Sequence, residues 1–134
     1  MLTPQAALIY TMVIVAEADA EISDSEITII GDLVNHLPVF ADTPRAEVAA
    51  LAADCSALIA APGGVEDAFL MIREALPPAL REAAYALACD VVAADRRLNR
   101  AEIRTLDRVR QGLGVPSPVA DMLERATRIR FQAA

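Results

Sequence analysis

The chain has 134 residues, 55% hydrophobic but only 4% aromatic, and a net charge of −7 from 19 acids and 12 arginines. That length and apolar content suit one domain spanning 1–134. An acidic chain with so few aromatic stacking side chains does not read as a nucleic-acid binder.

Alanine makes up much of the apolar content, and the Val and Ile residues form no sustained alternating runs, so the pattern predicts an all-α fold. Mean hydropathy is +0.37. The longest apolar run, Ala6 to Ala16, contains Tyr10 and Thr11 and stops at Glu17, short of the roughly 20 residues of a membrane span. A secretory leader opens on a positive charge, whereas the first arginine here is Arg45. The expected location is the cytoplasm.

The pattern predicts helix one from Pro4 to about Ala18, with Thr3 as N-cap and apolar residues around most of its circumference. After a loop at Asp19 to Ile22, helix two opens on Ser23-Asp24-Ser25-Glu26, a capping box with Glu26 at its third position. Its core stripe is Ile27, Ile30, Leu33 and Val34, and Pro38 ends it. Helix three is expected from Thr43 as N-cap and Pro44 as first residue to about Ala60, with Val48, Leu51, Ala52, Cys55 and Leu58 on one face. Pro62-Gly63-Gly64 breaks the chain, helix four covers Val65 to Ala75, and Pro77-Pro78 leads into helix five, about Pro78 to Ala94. A second loop, Asp95 to Leu98, precedes helix six, capped at Asn99 and expected to run to about Gln111, with Gly112 and Gly114 ending it. Ser117-Pro118 opens helix seven, which reaches about Arg130. Two pairs of favourable i,i+4 orientation lie on it, Asp121 with Arg125 and Glu124 with Arg128.

Charge is unevenly spread. Residues 1–44 carry seven acids and no arginine, 45–95 eight acids and three arginines, and 96–134 four acids and nine arginines; there is no lysine. Acidic front and basic back can neutralise each other within the fold or between subunits. Cys55 and Cys89 sit in alanine-rich helical sequence and read as small core residues, without zinc or CxxC spacing. His36, near a helix end, has no recognisable partner and receives no catalytic role.

A shift of 76 superimposes residues 7–34 on 83–110 without gaps. The identities are Ala7/Ala83, Val15/Val91, Ala18/Ala94, Asp19/Asp95, Glu26/Glu102 and Ile27/Ile103. A duplicated helix hairpin accounts for this most simply. Glu26 and Glu102 are explained as capping residues at a positive helix end. Asp19 and Asp95 each follow the C-terminal end of an apolar helix, where the dipole disfavours a carboxylate by about 0.3–1 kcal/mol. A cation would remove that penalty. With free carbonyls and the acids Glu17, Glu21 and Glu26, the first loop offers oxygen ligands for Ca2+ or Mg2+; the second offers Asp95, Glu102 and Asp90. The plainer reading is that the loop aspartates bond nearby amides. The loops are too short for an EF-hand and lack its glycine, and Arg96 and Arg97 weaken the second.

The two units Ala18-Asp19-Ala20-Glu21-Ile22-Ser23-Asp24-Ser25-Glu26 and Ala94-Asp95-Arg96-Arg97-Leu98-Asn99-Arg100-Ala101-Glu102 resemble the hallmark of the TerB-like tellurite-resistance family. The phrase Leu37-Pro38-Val39-Phe40 and the stretch Ile72 to Ala94 extend that resemblance. It implies an all-α bundle of about seven helices and an acidic surface for divalent cations, Ca2+ or Mg2+, with no other cofactor. It also implies a link to tellurite or metal stress through peripheral membrane complexes. The matching positions are Asp19, Glu26, Asp95 and Glu102; Glu17, Glu21 and Asp90 are added from proximity. The family's glycine after the aspartate is Ala20 in one unit and Arg96 in the other, which puts a left-handed turn there in doubt.

The expected function is a non-enzymatic, metal-responsive module whose partner is another protein, with a homodimer left open. One alternative is an arginine stripe, Arg96, Arg100, Arg104 and Arg108, binding an anionic partner. The other is a metal-dependent hydrolase, for which no acid, base or nucleophile can be named.

Overall fold

A computed structural model describes residues 1–17, 24–94 and 100–133, with backbone alone at 24–26 and 100–103. The described residues form seven α-helices and one turn of 3-10 helix. They are α1 Pro4–Ala16, α2 Asp24–His36, the 3-10 turn Pro38–Phe40, α3 Arg45–Ala60, α4 Gly64–Ala75, α5 Pro78–Ala94, α6 Arg100–Leu113 and α7 Ser117–Arg130. No strand occurs among the described residues.

The buried character of α1 follows from its sequence, which has no polar face. Every residue from Ala6 to Ala16 is buried. The threonine inside that run, Thr11, donates to the Ala7 carbonyl at 2.9 Å, which removes the cost of an unbonded buried donor. Thr3 caps the helix by accepting from the Ala6 amide at 3.1 Å. Five helices pack on α1, α5 most extensively, then α3, α4 and α6, with α2 at one side, while α7 rests on α5. Ile30 and Val34 of α2, Val48 and Ala52 of α3, Ile72 of α4, Val109 and Leu113 of α6 and Ala120 of α7 join one continuous core. The starts of α2 and α6, Asp24 and Arg100, lie 76 positions apart, the same offset as the sequence repeat.

Several boundaries differ from expectation. Thr43 is not the N-cap of α3. Its amide is bound to the Phe40 carbonyl at 2.9 Å in the 3-10 turn, and Pro44, with extended backbone (ψ 150°), is the residue outside the helix. Helix α4 begins one residue early, at Gly64, because Gly63 takes the left-handed conformation (φ 71°) that favours glycine. Gly112 does not end α6. The helix continues to Leu113, and Gly114 (φ 72°) makes the turn. A Cβ at Gly112 would lie 2.8 Å from the Phe69 ring, so this glycine lets α4 and α6 approach closely.

Across the Pro77-Pro78 corner, Arg81 of α5 donates to the Leu76 carbonyl at 2.9 Å and the Arg73 carbonyl at 3.0 Å. It thereby satisfies acceptors that the end of α4 leaves open. No helix among the described residues is long and apolar enough to cross a membrane.

Candidate functional site: the ends of α1 and α5

Glu17 is the C-cap of α1, its amide bonded to the Val13 carbonyl at 2.9 Å. Its carboxylate accepts from the Ser56 hydroxyl of α3, so the end of α1 is tied to α3. Helices α1, α3 and α5 carry no basic residue in their last turns, whereas α4, α6 and α7 end with Arg73, Arg110, and Arg128 and Arg130. The negative ends of the two helices that precede the acidic loops therefore receive no compensating charge from their own side chains.

Asp90 has a different setting. It is one turn from the end of α5, 13% exposed at its side chain, and pairs with Arg130 of α7 at 2.6 Å. This bond joins two helices 40 positions apart, and it already neutralises the charge Asp90 would bring to a cation. Asp19, Glu21 and Asp95 lie outside the described residues, and Glu26 and Glu102 are placed only as backbone within the first turns of α2 and α6. Among the described residues no group of three or more His, Cys, Asp or Glu side chains is arranged to hold a metal. Of the acids expected in the site, Glu17 and Asp90 are those whose side chains are described: the first accepts from Ser56 and the second pairs with Arg130.

The cysteines are core residues. Cys55 and Cys89 are free and buried, and Cys55 donates to the Tyr10 carbonyl at 3.7 Å. Burial pushes both thiols up to about 12, with Glu17 adding to the effect at Cys55 and Glu124, then Asp90, at Cys89. His36 is the last residue of α2 and exposed, its Nδ1 2.6 Å from the Asp32 carbonyl.

The arginine stripe is only partly placed. Arg104 is exposed and Arg108 pairs with Glu66 of α4, while Arg96 lies outside the described residues and Arg100 is placed as backbone alone. The α7 pairs Asp121 with Arg125 and Glu124 with Arg128 do not form. The described ion pairs are instead Arg45 with Asp32, Arg108 with Glu66, Arg110 with Asp107, and Arg130 with Asp90.

A family model described as "Tellurite resistance protein TerB" matches residues 5–124. The chain belongs to the TerB family. The match takes in α1 through the middle of α7 and both acidic units, so the TerB assignment covers the whole helical core described above. No curated protein and no solved structure matches the chain.

Two residues of this region gave no signal in the TerB-type motif. Ser56 lies in α3, 39 positions from Glu17, and Arg130 lies beyond the matched segment. Their roles depend on helix packing and have no local sequence mark.

Proposed function

We propose that this TerB-family chain is a non-enzymatic module in which a divalent cation, Ca2+ or Mg2+, binds at the acidic loop after α1 and sets a surface for a protein partner in the response to tellurite or metal stress. The observation that carries this reading is the α1 terminus. A largely apolar, buried helix ends on Glu17 with no basic residue in its last turn, and an acid-rich segment containing Asp19, Glu21 and Glu26 follows directly. A cation there offsets both the dipole and the carboxylate repulsion. Family membership supports the tellurite connection. The second loop is the weaker site, since Arg96 and Arg97 flank Asp95 and Asp90 is held by Arg130.

Calorimetric titration of chelator-treated protein with Ca2+, Mg2+, Mn2+ and Zn2+, repeated on Asp19→Asn and Asp95→Asn, tests the proposal. The expected result is saturable Ca2+ or Mg2+ binding that Asp19→Asn abolishes and Asp95→Asn weakens less. No heat with any cation would leave the acids as helix caps and turns.

A further inference from the structure

Helices α6 and α7 both rest on α5 and make little contact with each other. Between them runs a cleft of about 600 Å3, within the range of ligand-binding clefts. Its floor is apolar, formed by Tyr85, Cys89, Val92 and Ala93 of α5 and Leu106 of α6. Its α7 wall is charged: Asp121, Glu124 and Arg128 line it at spacings of three and four, so they form one stripe about 10 Å long. On the α6 wall, Arg110 is already taken by Asp107 at 3.2 Å and by the Ser117 hydroxyl at 3.4 Å. Asp121, Glu124 and Arg128 pair with no described residue. The cleft thus leaves two acids and one arginine uncompensated above an apolar floor. Glu124 acts on that floor, since its charge contributes to the raised pKa of both Cys89 and Tyr85.

We propose that the α5–α6–α7 cleft is a docking groove for an amphipathic helix of a partner protein. The partner lays its apolar stripe over the part-buried Ala93, beside which only the edges of the buried Val92 and Leu106 are open to the cleft, and presents basic side chains to Asp121 and Glu124. The charges choose this occupant. They are strung along two turns of α7, which suits an elongated ligand of helical repeat, and their uncompensated excess is negative, which selects a basic one. This inference rests on the reading of the chain as an interaction module and not on its cation.

Three short helical peptides that share one leucine stripe and differ in polar face (Lys/Arg-rich, Glu-rich, Gln-only) are titrated into the full chain by fluorescence anisotropy, in Ca2+ and in EDTA. The basic peptide is expected to bind saturably and best. Asp121→Asn with Glu124→Gln should weaken it by about tenfold, and Ala93→Phe, which fills the floor, should abolish binding, with both variants keeping the wild-type circular dichroism. Removal of two exposed acids elsewhere, Glu47→Gln with Asp54→Asn on α3, should leave the affinity unchanged. Equal weakening by that control pair would reduce the effect to net charge and overturn the proposal. So would equal binding of all three peptides, or binding only of a small apolar amphiphile. Peptide binding that follows these variants equally in Ca2+ and EDTA supports the groove even where the cation reading fails.

Discussion

Two glycines in this chain have opposite demands. A Cβ on Gly64 would lie 1.8 Å from the Leu58 carbonyl oxygen, a backbone atom that cannot swing aside. Gly64→Ala is expected to cost about 1–3 kcal/mol as an overpacking substitution, read as a lower urea midpoint at unchanged slope. Gly31, in the interior of α2, has no atom within 4 Å of the same position. Gly31→Ala is expected to stabilise by about 0.5–1 kcal/mol through helix propensity and a less flexible unfolded chain. A lower melting temperature for Gly31→Ala would show that α2 packs differently. The thiols give a pH signature. Cys55 and Cys89 are pushed from 9.0 to about 12 by burial, so the folded state holds them neutral while the unfolded state ionises them near 9. Their contribution is present in full below pH 9 and is lost as pH climbs towards 12. Alkylation by iodoacetamide at pH 8 should be slow in the native protein and fast in denaturant, because the thiolate is the nucleophile. Rapid native labelling of either cysteine would contradict its placement in the core.

At the scale of elements, helix ends decide how far the fold could be read from residues. Thr3-Pro4 and Thr43-Pro44 are the same dipeptide with different outcomes. The first is a capped helix start. The second is shifted by one residue because the 3-10 turn at Pro38–Phe40 draws the Thr43 amide to Phe40. That turn packs on α2, and from α1 Gln5 donates to the Val39 carbonyl at 3.1 Å, a contact that local pattern does not carry. Gly112 was expected as a terminator on residue type alone, yet Phe69 of α4 accounts for it. By contrast, the interior stripes of α2 and α3 and the limits of α5 were legible, because burial periodicity and Pro-Gly punctuation are local properties. The candidate site divides the same way. Its loop acids follow from the repeat, whereas Ser56 beside Glu17 and Arg130 on Asp90 depend on which helices meet. The Asp90–Arg130 pair joins α5 to α7 and is part-buried. Arg130→Ala, which leaves Asp90 without its partner, should destabilise by about 1–2 kcal/mol, discounted for the half-exposed arginine. A change within 0.5 kcal/mol in denaturant titration would show the pair to be a surface contact of no consequence.

Over the whole molecule, α1 and its α5 neighbour are enclosed by the other helices; α1 leads into a segment, 18–26, with four acids and no arginine, and α5 into 95–102, with two acids and three arginines. The cation reading therefore couples a surface event to the core. On the proposed reading, a cation at the end of α1 would stabilise the helix on which five others pack, since binding to the native state alone raises stability by about 2.7 kcal/mol at a hundredfold excess over Kd. The described cross-helix pairs from α6 to α4 and from α7 to α5 join arginines of the basic back to acids of the middle segment, Glu66 and Asp90, and the described front acid Asp32 pairs with Arg45.

The most direct measurement is the melting temperature of the chain in EDTA and across a Ca2+ series, for the wild type and Asp19→Asn. A saturable rise with Ca2+ is expected in the wild type and none in Asp19→Asn. A wild-type melting temperature that stays the same from EDTA to millimolar Ca2+ and Mg2+ would contradict a cation at the end of α1.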